Sequence, residues 1–357
     1  MEIRWIYEGQ NANIGLGNLN PAIVTHPRTD GEGSGMHNKF IIGDAEYTED
    51  AFVLTGSTNL TTGNLVQDLN NAIVFEDQSL ARAYTIEFEE MWGAEGMEPN
   101  ASNAKFGADK SWNTPSEFLI GGSEVELYFS PTDGTTNAIR EEIEAADSEF
   151  AFALLTLTRD DLGDAIATLG ESFFVNPIGA IEQVNTTGSE YENLLSAGVQ
   201  VYQHDISNDL HHKYAIVDYA SPSFDPVVIT GSHNWSSSAE NVNDENTVIV
   251  HDDRIANLYH QEFRAILIAL GVVQSTDDLK GEVQCLLYPN PVQESLSVEW
   301  LSDGQPGVLC LRDMSGRLVL SERLRPGVSQ LSMQGVSAGV YAVSVGGQGL
   351  PTRLIVE

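Results

Sequence analysis

The stretch from His37-Asn38-Lys39 to Asp44 recurs as His211-His212-Lys213 to Asp218, and each copy is followed by a Gly-Ser-x-Asn tetrapeptide. The first copy reads HNKFIIGD and then GSTN, with Gly56, Ser57 and Asn59. The second reads HHKYAIVD and then GSHN, with Gly231, Ser232 and Asn234. The offset is 174 residues at His, Lys and Asp and 175 at Ser and Asn, so one residue is inserted between the two parts. The offset of 175 then persists, matching Asn71 with Asn246, Tyr84 with Tyr259 and Phe88 with Phe263. One short pattern recurs by chance, whereas two copies with their partners at a constant distance do not. The chain is therefore expected to fold as two similar halves, each bringing the same set of side chains.

Phosphodiester cleavage needs such a set: a nucleophile, a proton for the leaving alkoxide and positive charge around the phosphoryl oxygens. Two imidazoles can divide the first two tasks, one attacking phosphorus and the other protonating the leaving oxygen. An unperturbed pKa of about 6.5 lets modest shifts set opposite protonation states near neutrality. Side chains at i and i+2 share a strand face, so Lys39 and Lys213 are expected beside His37 and His211, aimed at the same phosphate. Ser57, Asn59, Ser232 and Asn234 add neutral donors to that cradle. The set calls for no metal or other cofactor. The apolar runs 40–42 and 214–217 read as buried strand centres. Asp44 and Asp218 end those strands and are expected to fix the turns rather than to do chemistry. His212, one residue off in register, faces the other way. His204, His233, His251 and His260 lack the spacing of metal ligands and read as structural or exposed.

These motifs resemble those of the phospholipase D superfamily, over residues 1 to about 268. The resemblance implies the phospholipase D fold, an α/β architecture of two similar mixed-sheet halves flanked by helices. It also implies a metal-independent phosphodiesterase or phosphatidyltransferase that works through a phosphohistidine between the halves. In such proteins an acidic residue eleven positions beyond the Gly-Ser-x-Asn asparagine bonds the active-site histidine; here that position is Glu245 in the second copy and Asn70 in the first. The two histidines are thereby inequivalent. The habit of the superfamily favours His37 as nucleophile and His211 as acid. Lys39, Lys213, Asn59 and Asn234 would hold the phosphate, with Ser57 and Ser232 assisting and Glu245 orienting an imidazole.

The second half alternates strands at 124–130, 150–158, 199–202, 227–230 and 247–250 with helices at 137–146, 160–169 and 255–268. That alternation is the mark of mixed sheets covered by helices. The closing helix recurs at 80–92. His211 lies 87 positions beyond Glu124, but only 36 residues precede His37. The opening strand, helix, strand and helix thus lack a counterpart in the first half. Residues 1–7 start inside a strand with no charged or apolar leader before them, so the chain is expected to be truncated at its N-terminus. We read 1–107 as an incomplete first half, 113–270 as the second half, 271–284 as a polar linker and 285–357 as a further module.

In that module short runs at 296–301, 307–313, 318–322, 330–333, 339–345 and 353–356 suggest a small all-β sandwich. Tyr288-Pro289-Asn290-Pro291, Asp313-Met314-Ser315-Gly316-Arg317 and Ala338-Gly339-Val340-Tyr341 resemble the C-terminal sorting domain of type IX secretion substrates. That resemblance implies the type IX machinery as a partner and export across the outer membrane of a Bacteroidota-type cell, to the surface or the medium. A carbohydrate-binding or adhesive sandwich is the plainer alternative. Cys285 and Cys310 both fall here, and an exported chain could join them.

With 17 Lys and Arg against 52 Asp and Glu, the net charge is −35. Such a surface repels nucleic acid and anionic membranes. No run of 18 apolar residues occurs, so no transmembrane helix is expected, which argues against a membrane-anchored synthase. The expected function is hydrolysis of a phosphodiester, with phospholipid favoured over DNA. A nuclease of the same superfamily is the second reading, because it would share every motif residue. A non-catalytic surface binding protein is the third, and it would be expected to erode the motifs, which are whole here.

Overall fold

A computed structural model describes residues 2–10, 13–29, 35–172, 174–219, 225–272, 285–300, 307–313, 317–325, 327–345 and 352–356. The first repeat runs β1 (Ile3–Glu8), β2 (Ile23–Arg28), β3 (Phe40–Gly43), β4 (Phe52–Gly56), α1 (Thr62–Val66), β5 (Ala72–Phe75) and α2 (Gln78–Trp92). The second opens with β6 (Glu117–Ile120), β7 (Ser123–Ser130), α3 (Thr135–Ala145), β8 (Glu149–Leu154) and α4 (Asp160–Gly170). It continues through β9 (Asn176–Ile181), α5 (Tyr191–Ser196), β10 (Gln200–Gln203), β11 (Lys213–Val217), β12 (Val227–Gly231), α6 (Ser237–Asn241), β13 (Glu245–His251) and α7 (Asp253–Ala269).

Strands β6 to β13 form one mixed sheet in the order β10-β9-β8-β11-β12-β13-β7-β6. The first half instead splits into a parallel pair, β1-β2, and an antiparallel sheet, β3-β4-β5. The two halves correspond closely even so. Glu8, ending β1, accepts a 2.8 Å bond from the Met36 amide, and Glu182, just past β9, accepts one of 2.8 Å from the Leu210 amide. β1 and β2 are thus the counterparts of β9 and β10. In the second half β8 lies between β9 and β11 and joins them. Among the described residues no strand takes that place in the first half, so its sheet falls into two. The expectation of fewer strands there is met. Ile41 and Val74 on the outer face are 42% and 55% exposed, whereas Ala215 and Ile249 at the equivalent positions are buried in the cluster beneath α3 and α4.

β9 and α5 escaped the sequence reading. β9 reads NPIGAI, an apolar run interrupted by Pro177 and Gly179 that looks like a loop. Gly179 is there for packing, since a Cβ would lie 2.1 Å from the Phe152 ring. One face of the large sheet buries Phe150, Phe152 and Ile229 against Ile139, Ile143, Leu162 and Ile166 of α3 and α4. The other buries Tyr214, Ile216 and Val228 against Phe263, Ile266 and Leu267 of α7. A third cluster joins the halves, with Val53, Phe75, Leu80 and Tyr84 packed on Leu127 and Phe129 of β7 and Val248 and Val250 of β13. Each such burial contributes about 1.5–3 kcal/mol. The closing helices start alike. Asp77 caps α2 through the Leu80 amide at 2.9 Å, and Asp252, 175 residues on, caps α7 through the Ile255 amide at 3.1 Å.

The C-terminal strands are β14 (Cys285–Tyr288), β15 (Ser295–Trp300), β16 (Gly307–Asp313), β17 (Leu318–Leu324), β18 (Gly327–Ser332), β19 (Gly339–Val345) and β20 (Thr352–Val356). Two antiparallel sheets, β14-β15-β18 and β17-β16-β19-β20, enclose one core of Leu296, Val298, Leu309, Leu311, Tyr341, Val343 and Leu354. This is the expected all-β sandwich, with β14 added. Most of the linker, 273–284, and residues 314–316 of the DMSGR run lie outside the described residues. Cys310 carries a free thiol.

Candidate active site

Each motif begins where its half is stitched to the other. Met36 bridges to Asp244 and Leu210 to Leu69, positions related by the repeat. The His37 amide donates to the Asp244 carbonyl at 3.0 Å, and the His211 amide to the Leu69 carbonyl at 2.9 Å. The next residue on each opposing strand therefore meets the imidazole. His37 Nδ1 lies 2.7 Å from Glu245 Oε2, while His211 Nδ1 lies 2.9 Å from Asn70 Oδ1 and 3.0 Å from the Ser57 carbonyl. The partners cross over, so Glu245 of the second half serves the histidine of the first. With Nδ1 committed on both rings, Nε2 is left as the nitrogen for a substrate.

Lys39 and Lys213 are buried, and each curls back on its own histidine's carbonyl, at 2.7 and 2.8 Å. The four groups feel one another. Burial lowers His211 to about 3, helped by the charges of Lys213, Lys39 and His37. Burial takes Lys39 down to about 8 against the pull of Glu245, and burial with Lys39 holds Lys213 well below its ordinary value. Burial also lowers His37 more than Glu245 raises it, and both lysines push the same way. Glu245 is fully buried, which alone would raise it; His37 above all, then His233 and Lys39, carries it down to about 2. The resting site thus holds an ionised Glu245, two crowded lysines whose charge burial disfavours and two imidazoles that resist protonation. It is poised for an anion.

Ser57 and Ser232 are fully buried, and their hydroxyl oxygens accept the amides of Asn71 and Asn246, both at 3.0 Å. They lock the strands that carry Asn70 and Glu245. Asn59 and Asn234 are half-buried next to them, and their carbonyls accept the amides of Thr61 and Ser236, the caps of α1 and α6. The Asn234 amide reaches Glu245 at 3.3 Å, and its buried Oδ1 has no protein partner. Asp44 and Asp218 take left-handed backbone, with φ of 43° and 50°. Asp218 accepts the amides of Asp147, Ser148 and Glu149, tying β11 to the start of β8, and the Asp44 carbonyl accepts the Tyr47 amide at 2.8 Å. Both hold turns.

A polar frame surrounds the site in duplicate. Asn246 Nδ2 donates to Thr55 at 2.7 Å and Tyr84 at 2.9 Å, while Asn71 Oδ1 accepts from Thr230 at 2.8 Å and Tyr259 at 3.2 Å. The constant offset of 175 marks the asparagines and tyrosines in sequence. His212 turns away to Asn71 and Glu262, as its register requires. His233 bonds Ser130 at 3.2 Å and is buried. Sequence reading missed Arg28, Lys110 and Asp244, buried charges with no charged twin at the repeat offset, and also Glu87, whose twin 175 residues on is Glu262. Among the described residues, Glu126, Glu142 and His251 bring ligand atoms within 4.8 Å of one another, at the opposite end of β13 from Glu245. There the bond to Glu126, aided by Asp225, lifts His251 to about 9, so its ring is an ion-pair partner.

Two repeats that each lend a histidine and a lysine to one buried, anion-seeking site define a phospholipase D-type protein. The chain belongs to that family: residues 17–92 and 139–267 match the cardiolipin synthase, PLD-like domain. Residues 286–357 match the secretion system C-terminal sorting domain, which directs export to the cell surface or beyond. No helix among the described residues is long and apolar enough to cross a membrane. The mitochondrial cardiolipin hydrolase of Chlamydomonas reinhardtii is similar, 26% identical over 144 residues, covering 40% of this chain and 62% of that protein. The chain spans less than two thirds of the length of such relatives, 46% for the human one. Among solved structures, polyphosphate kinase from Porphyromonas gingivalis shares the fold at a TM-score of 0.50 and 10% identity, over 76% of this chain and 38% of that one. A phospholipase D family member, Nuc from Salmonella typhimurium, aligns at a TM-score of 0.34 and 20% identity, over 40% of this chain and 93% of that one.

Proposed function

We propose that this chain is an exported phosphodiesterase that hydrolyses a phospholipid through a phosphohistidine on His37. The observation that carries the reading is the crossed pair of imidazoles, each held by Nδ1 from the opposite half so that Nε2 is left to face a substrate, with Lys213 Nζ 3.5 Å from that of His211. The buried Glu245 carboxylate holds the His37 ring with Nδ1 protonated and stabilises the positive charge that the ring gains on attack. A docked phosphodiester sets its negative charge against Lys39 and Lys213 and beside His211, which raises the proton affinity of that ring. His37 Nε2 then forms a bond to phosphorus as the leaving alkoxide breaks away and takes the proton from His211 Nε2. Neutral His211 next removes a proton from water, which attacks phosphorus and frees His37 and a phosphomonoester. The two lysines and the side-chain amides of Asn59 and Asn234 balance charge on the phosphoryl oxygens.

The net charge of −35 disfavours a nucleic acid, which needs a basic track, and disfavours an anionic membrane as well, so on charge alone a zwitterionic lipid is the better fit. The similarity to proteins named cardiolipin hydrolases points to the same substrate class. The test is a parallel assay, with EDTA, on phosphatidylcholine and cardiolipin vesicles, bis-p-nitrophenyl phosphate and single-stranded DNA. Turnover of a lipid and the small diester but not DNA is expected. Turnover of DNA alone would replace this reading with the nuclease, and inactivity on all four would leave the binding protein.

A further inference from the structure

The seat of His37 contains buried charges that the seat of His211 lacks. Asp244 is fully buried, with Oδ2 2.6 Å from Arg28 Nη1 and Oδ1 3.1 Å from Lys110 Nζ and 2.8 Å from the Gly107 amide. Lys110 is also bound to Glu87 at 2.5 Å and to the Ser130 carbonyl at 2.9 Å. Arg28 places Nη1 2.9 Å from the Gly35 carbonyl and Nη2 3.1 Å from the Val242 carbonyl. One guanidinium therefore grips the chain two residues before His37 and three before Glu245, the two partners of the 2.7 Å bond. At the equivalent places in the other half stand Leu69 for Asp244 and Tyr202 for Arg28. The backbone bridge is the same in both, at 3.0 and 2.9 Å, so the bridge itself needs no charge. Buried ion pairs are poor net stabilisers, and apolar groups of similar volume often serve stability as well. The charges are better explained by what they position.

We propose that Arg28 and Asp244, backed by Lys110, form an inter-half clasp whose task is to hold the His37 ring on Glu245. These are positioning residues, and neither reaches the site itself. The inference rests on the reading of His37 as the group that attacks phosphorus. Arg28 is suited because its rigid fork spans two carbonyls and a carboxylate at once, which a lysine ammonium does not. Displacing a reacting group by about 1 Å can lower turnover by roughly 100-fold.

The test uses two full-length variants. The double variant Arg28→Met/Asp244→Leu removes one charge of each sign, leaves the Lys110–Glu87 pair intact and copies the leucine of the other half. Arg28→Lys keeps the charge but cannot span both carbonyls. The readouts are thermal stability, kcat and KM on bis-p-nitrophenyl phosphate, and the His37 Nδ1–H signal in a 1H–15N spectrum. Both variants should fold, lose about 10- to 100-fold in kcat with KM within about threefold, and lose or broaden the Nδ1–H signal. A folded variant of either kind that keeps the signal and a kcat within about threefold overturns the clasp. If the double variant unfolds, Arg28→Lys alone decides. If the wild type turns over no phosphodiester, the reading of the site fails, and the His37 signal still decides whether the clasp positions the ring.

Discussion

Replacing Glu245 by Gln tests the division of labour between the histidines most directly. The carboxylate is fully buried and 2.7 Å from His37 Nδ1, and its other oxygen accepts Asn243 Nδ2 at 2.9 Å. In the Glu245→Gln variant one oxygen becomes an NH2 that must face a donor, either Asn243 or the imidazole. In the second case the ring adopts the opposite tautomer, with its proton on Nε2 and no lone pair for phosphorus. In the first, the hydrogen bond survives without its charge. A bond to a charged group is worth about 1.5–3 kcal/mol, so kcat should fall by roughly 10- to 150-fold. The fold should survive, because Asn70 already holds the other imidazole at 2.9 Å without a charge. The assay is kcat on a saturating small diester at pH 7 with EDTA, beside a thermal melt. Glu245 sits at about 2 in the folded chain, so its contribution to stability is complete above its ordinary value of 4.5 and is lost only as pH falls toward 2. Neutral pH therefore isolates catalysis from acid unfolding. A folded Glu245→Gln protein with kcat within about threefold of wild type would refute the role given to the carboxylate.

Four further outcomes are expected. His37→Ala and His211→Ala should each abolish nearly all turnover, since nucleophile and acid act as a unit, and phosphoenzyme should be trapped in His211→Ala but not in His37→Ala on denaturation at alkaline pH, where a phosphohistidine survives. Binding of inorganic phosphate should take up protons and weaken as pH rises through about 8, where Lys39 loses its charge; calorimetry in buffers of different ionisation enthalpy reads both. Asn246→Ala strips two hydroxyls of a buried partner and should cost about 2–4 kcal/mol in urea denaturation, where a loss under about 1 kcal/mol would count against the frame. His251 is raised to about 9, so its pairing stabilises fully below pH 6.5 and is lost as pH climbs through 9; His251→Gln should flatten the dependence of the melting temperature on pH over that window.

What sequence revealed and what it hid follow from the repeat. His37, His211, both lysines, Asn71, Asn246, Tyr84 and Tyr259 were legible because each has a twin at a fixed offset. The turn role of Asp218 could be read from its place at a strand end, and the structure finds its carboxylate on three amides. The crossing of partners was not legible. The resemblance implies that Glu245 serves an imidazole, but only the bridge from Met36 to Asp244 shows that the ring belongs to the other half. β9 was hidden because Pro177 and Gly179 break its pattern, the glycine for packing against Phe152. The Arg28–Asp244–Lys110 group was hidden because it joins residues up to 216 apart with no periodicity to connect them.

Duplication alone would build two equal imidazoles, and equal imidazoles serve a two-step displacement badly. The attacking ring must be neutral while the donating ring is protonated, yet each ring is pushed down by the same pair of lysines. Two adjacent positions break the tie. At one, Glu245 faces His37 while its twin, Asn70, faces His211; at the other, Asp244 stands where its twin is Leu69. A carboxylate behind His37 favours the state in which that ring carries positive charge, which is the state the proposed attack on phosphorus would give it. An amide behind His211 orients the ring without stabilising its charge, so that ring readily gives up the proton it takes on when the anionic substrate docks. The repeat supplies the geometry twice, and the two departures from it are the ground for the roles proposed for His37 and His211.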